Sequence, residues 1–171
     1  MSDGVIIRPL RAEDAAQWRV LRLEALKAYP TAFASSYEEA LGQDLSARIP
    51  PPASPSVLFG AFDAGVLGGC AGLHVYPGIK QRHKGQLWGV YVTPSWHRRG
   101  VGAALVRTVI EHARAHVAIL QLHVLFENAA ARALYRRLGF VPYGIERRAL
   151  RHEGKDYDDE LMALDFMTEP Q

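Results

Sequence analysis

One cysteine, Cys70, stands in this chain of 171 residues, so no internal disulfide can form, which suits a reducing compartment. Cys70 lies in the strand-like run 66–76 with no base beside it in sequence, and it reads as a buried structural thiol. No apolar stretch approaches the ~18–20 residues that span a bilayer. Residues Met1-Ser2-Asp3-Gly4 lack the charged and apolar regions of a secretory leader. A cytoplasmic location without membrane association is therefore expected. Charge of one sign is scarce too. The net charge is +2, which does not point to nucleic acid, although arginine pairs recur at 98–99, 136–137 and 147–148. Low-complexity tracts, internal repeats and composition breaks are all missing. With 49% hydrophobic and 22% charged residues, the chain reads as one domain over residues 1–171, with its core at about 5–167. A homodimer stays open.

What is present follows a readable order. Val5-Ile6-Ile7, closed by Pro9, predicts a first strand. Glu13 and Asp14 favour a helix start, and Trp18, Leu21, Ala25 and Ala28 follow at helical spacing until Pro30. Ser35…Glu38 and Ser36…Glu39 both match a capping box, predicting a second helix that fades before Pro50-Pro51-Pro52. Strands are expected at 57–63 and 66–76, joined by the turn Asp63-Ala64-Gly65, and then at 86–93. A helix from Gly100 carries Val101, Leu105, Val109 and Ala113 at four-residue intervals. The run 119–125 alternates as a strand should, and Asn128 opens a helix stopped by Gly139, with Ala131, Leu134 and Leu138 inward. Two strands about Glu153-Gly154 form a last hairpin. The order β-α-α-β-β-β-α-β-α-β-β predicts an α/β fold of the α+β kind, a mixed sheet with helices on its faces.

The most informative stretch is Leu87-Trp-Gly-Val-Tyr-Val-Thr-Pro-Ser-Trp-His-Arg-Arg-Gly-Val-Gly-Ala-Ala-Leu105. It runs from a strand through a short loop to glycines that open a helix. The first N–H groups of a helix lack internal partners, and the dipole adds positive potential there. Gly100 and Gly102 let that backbone approach a ligand, and Arg98 and Arg99 supply charge at its rim. A pyrophosphate site over Arg98, Arg99, Gly100, Val101, Gly102 and Ala103 is the physical expectation. The segment lacks the third glycine of a dinucleotide fingerprint, and no Gly-x-x-x-x-Gly-Lys-Ser/Thr loop exists in the chain. Taken alone, a tight turn with two solvated arginines explains it as well.

A second stretch, Leu120–Phe140, places Asn128 and Tyr135 seven residues apart, almost two helical turns, so both can line one face. Each alone has an ordinary explanation, as a helix N-cap and a semi-buried tyrosine. Together the two stretches resemble the GCN5-related N-acetyltransferase (GNAT) superfamily. The first matches its phosphate-loop pattern Gln/Arg-x-x-Gly-x-Gly/Ala at 97–102, except that His97 stands in the leading position. The second matches Asn-x-x-Ala-x-x-Leu-Tyr-x-x-x-Gly-Phe through Asn128, Ala131, Leu134, Tyr135, Gly139 and Phe140 without a gap. The element order resembles that family over essentially the whole chain.

The resemblance implies an acyl-CoA N-acyltransferase fold with splayed central strands, and acetyl-CoA as acyl donor to an amine, without a metal. It implies that Val90, Tyr91 and Val92 pair with pantetheine, that Asn128 bonds the pantetheine or nearby backbone, and that Tyr135 is the acid for the departing thiolate. A phenol, with a reference pKa of ~10, stays protonated at neutral pH and suits that task. The base is open. The strand 86–92 has no acidic residue, where some relatives carry a Glu. His123 stands five residues before Asn128, where relatives acting on protein N-termini carry a Glu, and alternation turns it away from Leu122 and Val124. Histidine as a residue type suits proton removal near neutrality, directly or through water. A histidine tucked between sheet and helix explains the position equally, and Glu127 and Tyr91 are weaker candidates.

His112 and His116, four apart, have zinc spacing but no third ligand nearby; a helix C-terminus accounts for them. By resemblance the acceptor groove lies between 29–39 and 147–160, offering Phe33, Ser35, Ser36, Tyr37, Glu38 and Glu39, then Asp156, Tyr157, Asp158, Asp159 and Glu160. The expected partner is a small-molecule or peptide amine, with a protein N-terminus as one alternative. Two non-enzymatic alternatives are an acyl-CoA-binding regulatory module with weak catalysis and a phosphate-binding module of another kind.

Overall fold

The computed structural model describes residues 4–168; residues 1–3, read above for a leader, and 169–171 lie outside the described residues. Seven strands form one sheet in the order β1-β2-β3-β4-β5-β7-β6. They are β1 (Ile6–Pro9), β2 (Val57–Asp63), β3 (Val66–Val75), β4 (Lys84–Val92), β5 (Ile119–Leu125), β6 (Val141–His152) and β7 (Lys155–Asp165). The helices are α1 (Ala15–Ala28), α2 (Tyr37–Leu41), α3 (Val101–Arg114) and α4 (Ala129–Arg137). The observed order is the one expected.

β2 and β3 are buried along almost their whole length, as befits apolar strands covered on both faces. Ala64 and Gly65, both at positive φ, make the two-residue turn between them, and Glu153 and Gly154 do the same between β6 and β7. On one face α3 sinks Val101, Leu105, Val106, Val109, Ile110 and Ala113 into the larger core. α4 joins that core through Tyr135, its buried residue; Ala131 and Leu138, expected inward, are only partly buried. On the other face Trp18, Leu21, Ala25 and Leu26 of α1 pack with Leu58, Phe62, Cys70 and Tyr91. The second helix is shorter than predicted. Ser36 and Glu39 close its capping box, but Gly42 ends it after Leu41, and a 3-10 turn at Leu45–Arg48 follows.

The sheet's decisive feature is a split. β4 and β5, the parallel pair, are matched only from Lys84↔Ile119 to Gln86↔Gln121, and then part. The cause lies in β4, where Gly89 sits at φ +64 and the register with β3 slips between Cys70 and Gly72. An extra residue in one strand bends it and sharpens its twist. Beyond Gln86, β4 is held by β3 alone and β5 by β7 alone.

Candidate active site

Between β4 and α3 the chain makes the loop that the sequence singled out. Gly100 is the N-cap of α3 at φ +74, and no side chain caps the helix. A Cβ at Gly100 would meet nothing within 4 Å, so glycine is required by backbone conformation and not by space. The opening N–H groups of α3 at Val101, Gly102 and Ala103 lie before its hydrogen-bonding ladder begins, which starts with Ala104 N–H to Gly100 O. Such an uncapped helix start fits a pyrophosphate. Arg98 is exposed at φ +62, while Arg99 donates to Asp63 at 3.0 Å and lies over the Trp96 ring. His97, the departure from the family pattern, bonds through Nε2 to the carbonyl oxygen of Val92 at 2.9 Å. With Nε2 protonated, it ties the loop to the end of β4.

Val90 and Val92 pack towards α3, and Tyr91 towards α1. The Tyr91 hydroxyl donates to Glu24 at 2.7 Å, and burial together with that carboxylate pushes its pKa upward. It is a donor there, not a base. Asn128 caps α4, its Oδ1 accepting the Ala131 N–H at 3.1 Å. Tyr135 is buried edge-on to Phe140, and burial pushes its pKa up to about 12. Its hydroxyl makes no hydrogen bond to the described residues.

On the α1 side the split opens into a cavity of about 860 Å³. Its floor includes Leu73, Gln86, Leu87, Trp88 and Gly89, and β5 contributes His123 and Leu125. His123 is not tucked between sheet and helix: its side chain is 44% exposed and faces this space. Its Nδ1 lies 3.5 Å from Glu146 Oε2 on β6. Asp159 of β7, the register partner of Glu146, completes the group. Burial raises the Asp159 pKa, the His123 charge opposes that, and the Glu146 charge adds to it.

Of the other acidic residues expected in the groove, Asp158, Asp156, Glu39 and Glu160 are engaged elsewhere. Asp158 takes Arg147 and the Arg148 N–H, and Asp156 takes Arg151 and Arg148. Glu39 caps α2. Glu160 is buried and receives Arg132 and Arg136 of α4 at 2.9 Å each. Glu127 faces Lys155. His112 bonds the Pro55 carbonyl and His116 the His112 carbonyl, and the described residues hold no cluster of three or more metal-ligating groups.

Glu146, Arg22 and Arg48 also line this cavity and do not stand out in the sequence motifs. Three residues of β6 (147–149) stand opposite the single residue Asp158, so counting back from the hairpin could not set Glu146 opposite Asp159. Arg22 did leave a signal. It follows Trp18 by four, on the stripe Trp18, Leu21, Ala25, Leu26, a cation where the pattern asks for an apolar residue.

The Glu160 clasp holds α4 against β7, and its loss has a measurable consequence. Arg132 and Arg136 depress the Glu160 pKa, so its stabilisation is present above the unfolded value of ~4.3. It fades as pH falls through the lower folded value. Glu160→Gln is expected to cost about 2 kcal/mol near neutrality, a melting shift of about 4–8 °C. The gap to wild type should narrow as pH falls below the unfolded value; a gap independent of pH would deny the ion pair its part.

Comparison with known proteins decides the family. Residues 18–140 match the model of the Acetyltransferase (GNAT) family. The chain belongs to the GNAT family. It is an acetyl-CoA-dependent N-acetyltransferase. It is 31% identical over 117 residues to the aminoglycoside N(6')-acetyltransferase type 1 of Klebsiella aerogenes, covering 67% of this chain and 74% of that one. It is 35% identical over 97 residues to the N-alpha-acetyltransferase RimI of Mycobacterium tuberculosis, covering 57% and 60% respectively. The yncA protein of Salmonella typhimurium, solved with its cofactor acetyl-CoA, superposes with a TM-score of 0.80 over 99% of this chain and 98% of that one. At 19% identity that likeness shows the fold of this GNAT enzyme. No helix among its described residues is long and apolar enough to cross a membrane.

Proposed function

We propose that the enzyme acetylates a primary amine of a small molecule or peptide by direct attack within a ternary complex. His123 accepts the amine proton, directly or through water, and Tyr135 donates a proton to the departing sulfur. The observation that carries this reading is the cavity. His123, Glu146 and Asp159 face one space that opens onto the split between β4 and β5. Acetyl-CoA supplies a thioester carbonyl to that split. Its pyrophosphate is held by Arg98, Arg99 and the backbone from Gly100 to Ala103. Its pantetheine runs along Val90, Tyr91 and Val92, with Asn128 beside it.

Each residue's task follows from its surroundings. An amine enters as an ammonium, attracted by Glu146 and Asp159. It must lose a proton before its nitrogen can attack. The Glu146 carboxylate orients the His123 ring and stabilises the imidazolium that proton transfer produces. Tyr135, held protonated by burial, keeps its proton for the thiolate formed when the carbon–sulfur bond breaks. Tyr135→Phe should lower turnover by ~10–100-fold with little change in acetyl-CoA affinity. Thiol release with an amine panel reads the first quantity and calorimetry the second. Equal turnover would leave Tyr135 a packing residue.

A second reading is acetylation of a protein N-terminus. The 35% identity to an N-alpha-acetyltransferase favours it, and a peptide with a free terminus belongs in the same panel.

A further inference from the structure

The cavity carries opposite charge on its two sides. Glu146, Asp159 and His123 come from β6, β7 and β5, beyond the split. Arg22 of α1 and Arg48, in the turn after α2, line it from the α1 side. Arg22 is the unusual one. The residue is 94% buried by its 6% relative exposure, yet no carboxylate or carbonyl accepts a hydrogen bond from its guanidinium among the described residues. Its one described contact is the face of Phe33, 4.7 Å from the guanidinium carbon to the ring centroid, and Phe33 lines the cavity as well. A buried arginine is ordinarily paired, because desolvating a cation without a partner is costly. Burial and the charge of Arg48 both press against the Arg22 cation. Arginine stays charged all the same. A planar, unpaired fork fixed at a cavity wall matches a small oxyanion, which it can grip with two parallel N–H donors.

We infer that the acceptor is an amine that also carries a small oxyanion, a carboxylate above all, with the anion held by Arg22 and Arg48 and the amine turned to Glu146, Asp159 and His123. The inference rests on the proposed acetyl transfer in this cavity and adds the substrate class. An amino acid or a compound shaped like one meets both walls at once. A polycation meets repulsion from Arg22 and Arg48, so an aminoglycoside is a poor acceptor here. A peptide N-terminus with no nearby carboxylate leaves the fork empty.

The test compares matched acceptors on the full-length enzyme: a panel of free amino acids, their C-terminal amides, the corresponding decarboxylated amines, and aminoalkylphosphonates. The free acids should show kcat/KM at least ~100-fold above the amides. A preference for phosphonate over carboxylate would assign the anion to the phosphorus acids within the same class. In Arg22→Gln the ratio of acid to amide should collapse towards one. Melting curves establish whether that variant folds; if it does not, the exposed Arg48→Gln carries the test, with a rise of ~5–20-fold in KM for the acid. Calorimetry adds a readout free of turnover, since an N-acetylamino acid should bind the wild type and its amide should not. Equal kcat/KM for acids and amides would overturn the inference and leave the proposed acetyl transfer standing. No acetylation of any amine would instead remove the proposed transfer itself.

Discussion

Gly100→Val is expected to weaken acetyl-CoA binding by at least ~100-fold in calorimetry, with the fold retained. Gly100 stands at φ +74 directly before the uncapped start of α3. A β-branched residue cannot hold that conformation without strain, so the peptide would rotate. Rotation turns the first N–H groups of α3 away from the pyrophosphate. Losing two charge-assisted hydrogen bonds, at about 1.5–3 kcal/mol each, is enough for the stated factor. The control is Gly100→Asn. Asparagine tolerates the left-handed region, and space for a side chain is open there. It should bind within ~10-fold of wild type. Should valine and asparagine bind equally, the loop does not work through its backbone.

His123→Ala is expected to lower kcat by ~100–1000-fold on a good amine acceptor. Acetyl-CoA affinity should stay within ~3-fold, since His123 lines the cavity on the α1 side and not the loop before α3. The shape of the pH profile distinguishes a base from a wall. Without His123 the free amine must come from solution. For an ammonium with a reference pKa of ~10.4, the residual rate then climbs about tenfold per pH unit across neutrality. Glu146→Gln keeps the ring in place but removes the charge that steadies it, and a smaller loss of ~10-fold is expected. Unchanged turnover in His123→Ala would return the proton transfer to solvent.

The sequence carried the fold because its signals were local. Turn residues at 64–65 and 153–154, the Ser36–Glu39 box and the spacing in α3 each act within a few residues. The loop that opens α3 was legible for the same reason, a glycine at a helix start. The cavity beside the split is built by partners distant in sequence. Glu146 meets His123 because three residues of β6 stand opposite one of β7 between it and the hairpin, an insertion that shifts the register by an amount no periodicity announces. Gly89 opens the split in the same way, from a strand that reads as ordinary. Arg22 was visible as an exception within an apolar stripe. An exception of that kind becomes informative only once the space beside it is known.

Asp159 and Glu160 are neighbours on β7, yet one lines the cavity and the other is clasped by Arg132 and Arg136 of α4. Anyone exchanging the terminal hairpin to redirect this enzyme to a new amine would therefore be rewriting two things at once. A donor hairpin without an acid at 160 would arrive with the desired groove and a loosened α4, the helix that carries Tyr135. Specificity and the seating of that tyrosine are inherited together.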